Sequence, residues 1–164
     1  MEQDPRLSSE PGRIAYAIGN DLVVEREVVH HATGGITFVN YGRDGSLALM
    51  IDGETLERWE GNTLTGTLAI PSELQGRTPV LRFDNCAAAF PPLGGDIGRI
   101  ELVSLGCLPS ERRQSFIGRD AAWSPDGQWL AVAERENIAF HRIVGPDETV
   151  RWPAQAAQLA WRPR

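Results

Sequence analysis

Apolar residues in this chain fall in short runs, each closed by Gly, Pro, Asn or Asp. WLAVAE (129–134) shows the pattern most plainly. Trp129, Ala131 and Ala133 alternate with Leu130, Val132 and Glu134, the period-two signature of a strand. DAAWSP precedes it and stops at Pro125. PDG (125–127) supplies a turn, since Pro presets φ and Gly accepts a positive φ. RENI then leads into IAFHRIV (138–144), and GPDE leads into TVRW (149–152). Residues 120–154 therefore read as an antiparallel meander of four strands.

Two earlier segments follow the same plan. Residues 36–70 give ITFVNY, LALMI, TLERWE and TLTGTLAI. Residues 79–117 give PVLRFD, CAAAF, IGRIELV and RRQSFI. An aromatic closes the first run of each unit, at Phe38, Phe83 and Trp123, and recurs at Trp161, with spacings of 45, 40 and 38 residues. A period near forty with several strands per unit is that of a β-propeller blade. The chain ends complement one another. RIAYAI (13–18), LVVERE (22–27) and VVHHA (28–32) read as strands two to four of a blade, and QLAWRPR reads as a first strand. The predicted fold is all-β: a small β-propeller of four four-stranded antiparallel blades, with the ring closed by the C-terminal strand, a closure that removes two sheet edges. Residues 1–12 are expected to be a disordered leader or linker, and 13–164 the propeller domain. PSELQG (71–76) and AQAAQ (154–158) allow helix of under two turns at most.

The segment WSPDGQWLAVA (123–133) resembles the blade signature of TolB-like and WD-repeat-like propellers. YGRDGSLALMIDGETL (41–56) matches it more loosely, the third unit keeps Phe83 and Asp84-Asn85, and the chain end keeps WRP (161–163). The resemblance implies a propeller scaffold of the kind found in periplasmic partner-binding modules, peptidase gates and enzymes. The WD dipeptide and its His partner are absent, so the hydrogen-bonded tetrad of that subfamily is not expected. Four blades are also fewer than the six or seven usual among such proteins.

Charge narrows the range of partners. The formal net charge is −6, which argues against a nucleic-acid surface. All 16 cationic residues are Arg, whose planar fork pairs with carboxylates and stacks on aromatics. No run reaches the eighteen apolar residues of a membrane span, and no signal peptide opens the sequence. Two cysteines, Cys86 and Cys107, fit either one disulfide in an oxidising compartment or two buried thiols. A bridge between them is expected, as a clamp on the PPLGGD connection.

No catalytic motif stands out. His30 and His31 are adjacent, so on a strand they point to opposite faces and cannot chelate together. No metal, cofactor or catalytic residue is expected. Of the five tryptophans, Trp123 and Trp161 are expected in the core. Trp59 and Trp152 lie beside Arg and Glu, where Trp serves as a binding hot spot or covers a blade edge. The turns joining strands two and three of each unit are GND (19–21), DGE (52–54), PPLGGD (91–96) and REN (135–137). On one face of a propeller they bring together Asp21, Asp52, Glu54, Asp96, Arg135 and Glu136, a mostly acidic rim suited to a basic or polyhydroxyl partner.

The expected function is that of a non-catalytic binding or interaction domain, with an unidentified protein partner or self-association. It is read as the soluble part of an exported or membrane-tethered bacterial protein, extracytoplasmic and not itself membrane-inserted. Two alternatives stand beside it. One is an assembly module in which two chains form an eight-blade ring. The other is a small-molecule or carbohydrate-binding β-domain in which 36–105 form a sandwich and the repeat is fortuitous.

Overall fold

Short apolar runs broken by turn residues pair with their sequence neighbours, because short connections bring adjacent strands together. In the computed structural model, which describes residues 8–10, 13–106 and 114–161, this local pairing yields four antiparallel sheets of four strands. The first contains β1 (Ser8–Glu10), β2 (Arg13–Ile18), β3 (Asp21–Val24) and β4 (Glu27–His31). The second contains β5 (Ile36–Tyr41), β6 (Leu47–Ile51), β7 (Thr55–Glu60) and β8 (Thr63–Ala69). The third contains β9 (Val80–Leu81), β10 (Ala87–Phe90), β11 (Gly98–Ser104) and β12 (Gln114–Gly118). The fourth contains β13 (Ala121–Trp123), β14 (Trp129–Ala133), β15 (Asn137–Arg142) and β16 (Thr149–Pro153). Every sheet keeps its strands in sequence order. The forty-residue repeat thus coincides with four meanders, and the alternative in which it is fortuitous falls away. Among the described residues the helical structure is limited to 3-10 turns at Ser72–Leu74 and Leu93–Gly95. No helix is long and apolar enough to cross a membrane.

The expected ring closure is not what forms. The first sheet takes its first strand from its own N-terminal side, since Ser8–Glu10 pairs with Arg13–Ala15 of β2. Ser8–Glu10 fall within the expected leader and form a strand. Residues 159–161 are not a strand. A hairpin across two residues closes a far shorter loop than a pairing across the whole chain, so the local partner is favoured by loop entropy. The sheets are accordingly not closed into a ring by the C-terminal segment.

The chain divides into two compact units. The first carries the first and second sheets together with residues 84–86 and 105–106. Its core joins Ala15 and Leu22 of the first sheet to Ile36, Val39, Leu49 and Ile51 of the second, with Ala32 between them. The second unit carries the strands of the third and fourth sheets. Ala87, Ala89, Ile100 and Leu102 meet Ala121, Trp123, Leu130 and Val132 there. Fully burying a Leu or Ile stabilises by about 2 kcal/mol, so each core has several such contributions. Alanines are concentrated in β10 and β14, where Ala87, Ala88, Ala89, Ala131 and Ala133 are buried, and such small side chains let facing sheets approach. Trp123 on β13 is buried among them, and its Nε1–H donates to the Val80 carbonyl at 3.0 Å.

The turn after the first strand is built alike in the second, third and fourth sheets. Asp44, Asp84 and Asp126 each accept a hydrogen bond from the backbone N–H two residues on, at Ser46, Cys86 and Gln128, with distances of 3.0–3.1 Å. A short carboxylate side chain can close such a turn on its own backbone, which is why Asp recurs there. In the fourth sheet Ser124 adds to it: its Oγ donates to Asp126 at 2.5 Å, and the Trp129 N–H donates to that Oγ at 3.0 Å.

Candidate functional site

Of the six turn residues read as a rim, Asp52, Glu54, Asp96, Arg135 and Glu136 lie on connections between the second and third strands of a sheet, while Asp21 is the first residue of β3. In the first unit the structure brings two of these turns together. Ile36 N–H donates to the Gly19 carbonyl and Asp52 N–H to the Gly35 carbonyl, so residues 32–36 link GND to DGE. The carboxylates, however, serve the fold. Asp52 accepts from the Gly35 N–H at 2.7 Å, and Asp21 pairs with His31. Glu54 is exposed. In the second unit Asp96, Arg135 and Glu136 are exposed on their turns.

The histidines separate as strand geometry requires. On β4, His31 turns to Asp21, while the His30 ring meets Trp59 at a tilt of 51°, with centroids 4.4 Å apart. His141 lies 4.4 Å from the Phe116 ring and 3.1 Å from Thr149 Oγ1. Burial holds its pKa below the usual histidine value; the nearby Arg151 charge lowers it further, and Glu134 opposes both. Among the described residues no group of three or more His, Cys, Asp or Glu is placed to hold a metal ion. Cys86 is buried, but Cys107 lies outside the described residues, and so does the expected bridge between them.

Two features were not legible in the sequence. The first is a buried arginine, Arg58 on β7, only 5% exposed. Its Nε donates to the Asp84 carbonyl at 2.9 Å, Nη1 to Thr65 Oγ1 at 2.8 Å, and Nη2 to Asp44 at 3.1 Å; Glu60 completes the set. Beside it Asn85, fully buried and at φ 55°, donates to Ser46 and accepts from Asn40. Asn tolerates that left-handed backbone better than most residues. A buried guanidinium is stable only when its donors are used, and here the fork meets one carbonyl, one hydroxyl and two carboxylates.

The second feature is a cavity of about 250 Å³ in the first unit, between the first and second sheets. Leu22 and Leu49 lie buried in its wall, Leu47, Tyr41 and Trp59 are half-buried, and His30 completes it beside Trp59. Val29, Gly45, Gly61 and Asn62 are its exposed lining residues. The Trp59 indole is steered by its Nε1–H, which donates to Glu57 at 2.9 Å.

Trp152 takes neither of these positions. It is 68% exposed on β16, the outer strand of the fourth sheet, and Val150, two residues away, is 50% exposed. Residues two apart on a strand share a face. The pair therefore forms an apolar stripe on a sheet edge, while Trp59 is tied down by His30 and Glu57.

No protein-family model and no curated protein matches the sequence. Solved structures do. The chain is similar to Kuenenia stuttgartiensis hydrazine synthase at 11% identity and TM-score 0.51, over 91% of this chain and 53% of that one. It is similar to the β-propeller domain of Myceliophteria thermophila Cps50 (Swd1) at 10% identity and TM-score 0.51, over 85% of this chain and 51% of that one. It is similar to KlHsv2 carrying a Gly-Ser linker in place of loop 6CD, at 14% identity and TM-score 0.54, over 85% and 50%. The chain spans about half the length of these structures. At such identities the likeness bears on fold alone, and what it shows is an all-β, propeller-like fold of four-stranded antiparallel sheets, shared with WD-repeat proteins.

Proposed function

We propose that this chain is a non-catalytic interaction domain that holds a protein partner along the edge of its fourth sheet. The observation that carries the reading is the Trp152–Val150 stripe on β16. An edge strand offers unpaired backbone groups as well as side chains, and Trp is the residue most enriched at binding hot spots. The four sheets supply a scaffold on which such a stripe is displayed. The SPDG turn at 124–127 favours a TolB-like relative, and with it an exported or membrane-tethered protein. Two cysteines able to form one bridge agree with export.

A photoreactive residue placed at 152, with one at Asp147 as control, tests the reading in the cells that make the protein. A discrete heavier adduct from position 152, lost when Val150 is changed to Ser, is the expected outcome. Equal labelling from both positions would end it. A second reading, that two copies of this chain complete one propeller, is favoured by its spanning about half of the similar structures. Sedimentation equilibrium separates the two: a concentration-independent monomer rules the second out.

A further inference from the structure

The cavity between the first and second sheets is chemically specific, and it is separate from the β16 stripe. Its wall combines the aliphatic Leu22, Leu47 and Leu49 with the aromatic pair Trp59 and His30. No carboxylate, arginine or lysine lines it. A charged ligand would lose its hydration there without an opposite charge in the wall, so a neutral occupant is favoured. Two polar groups remain available. Among the described residues neither the His30 imidazole nor the Asn62 amide has a hydrogen-bond partner, and both line the cavity. Size sets the last limit. A dry cavity of about 150 Å³ holds benzene, so 250 Å³ admits one or two fused rings.

We propose that this cavity binds a neutral one- or two-ring aromatic molecule bearing a single hydrogen-bonding group. The ring lies against Trp59 and the leucines, and the polar group reaches His30 or Asn62. Aromatic contact supplies attraction beyond the area buried, and the imidazole accepts from an N–H or O–H in its neutral form.

Indole is the probe, with indole-3-acetate as its charged counterpart, titrated into the full ¹⁵N-labelled chain at pH 7.5. Saturable shifts at the Trp59 indole N–H and at the Leu47 and Leu49 amides are expected, with the anion binding at least about tenfold more weakly, a difference of 1.4 kcal/mol. Val29→Trp, at an exposed lining position, should fill the opening and abolish the shifts. His30→Leu should weaken indole several-fold while keeping the fold, and it serves if Val29→Trp does not fold. Absence of saturation, equal or tighter binding of the anion, or shifts unchanged in the variants would each overturn the proposal.

Discussion

The indole Nε1–H of Trp161 donates to the Ala122 carbonyl at 3.0 Å, so the end of the described chain clasps the fourth sheet. The Leu159 N–H adds a bond to Asp120 at 2.6 Å, and Phe140 meets the Trp161 ring edge-on at 5.9 Å. Trp161 is 37% exposed, so its removal forfeits only part of a tryptophan's burial. Trp161→Ala should cost about 1–2 kcal/mol in urea unfolding. Asp120→Ala should cost about 1 kcal/mol, less than additively with Trp161→Ala because both hold one segment. A loss above 4 kcal/mol on Trp161→Ala would mean that this residue closes a larger core than the one described.

Arg58 should be the least replaceable polar residue of the first unit. Arg58→Ala leaves Asp44 without its guanidinium and a buried space, with an expected cost of about 3–5 kcal/mol. Arg58→Lys should recover little, because an ammonium cannot serve carbonyl, hydroxyl and carboxylates in one plane. Chemical denaturation of the two variants side by side checks this, and near-wild-type stability of the lysine variant would refute it.

Gly118 lets β12 run close to β14. A Cβ there would stand 2.5 Å from Val132 Cγ1 and 2.9 Å from the Ala133 carbonyl oxygen. That oxygen is held in place by the Arg119 N–H at 2.9 Å, so it cannot give way cheaply. Gly118→Ala should destabilise by about 1–3 kcal/mol despite its better strand entropy. A thermal melt that rises instead would show that the third and fourth sheets can separate without loss.

His141 gives stability a dependence on pH. Its folded-state pKa is depressed, mainly by burial, so the unfolded chain takes up more protons as the pH falls below the ordinary value of 6.5. Its contribution is whole above that value and is lost as the pH falls through the depressed one. Asp126 acts likewise further into acid. The Ser124 hydroxyl and then the Gln128 N–H hold its pKa below 3.8, and what it contributes is lost as its carboxylate protonates. Unfolding midpoints between pH 5 and 7.5 should drop toward acid in the parent chain and flatten in His141→Phe. An unchanged slope would assign the dependence to other groups.

Cys86 and Cys107 remain a proposed bridge. It would close a loop of about twenty residues and add about 3 kcal/mol in the chain-entropy picture. Peptide mass spectrometry without reduction decides it: a cross-linked pair is expected, and two free thiols in protein from an oxidising compartment would exclude it.

Sequence alone determined what depends on near neighbours. Alternation in WLAVA, turns at RDG and PDG, and the recurrence of Phe38, Phe83 and Trp123 place fifteen of the sixteen strands in their four meanders, all but β1, because hairpin pairing and Asp-closed turns are decided within about ten residues. The rim of turn carboxylates was legible as turns but not as a site, since Asp21 and Asp52 spend their oxygens on His31 and Gly35. Tertiary structure decided the rest. Whether QLAW joined the first sheet or folded back on the fourth depended on a competition between two distant partners, which no local pattern weighs. Arg58 reads as one more exposed cation in ERWE, and only the arrival of Asp84 and Asp44 around it makes it a buried one. The cavity of His30 and Trp59 exists because side chains from the first and second sheets meet across a gap they do not fill. Packing between sheets is set by volumes and angles, and a period-two pattern carries neither.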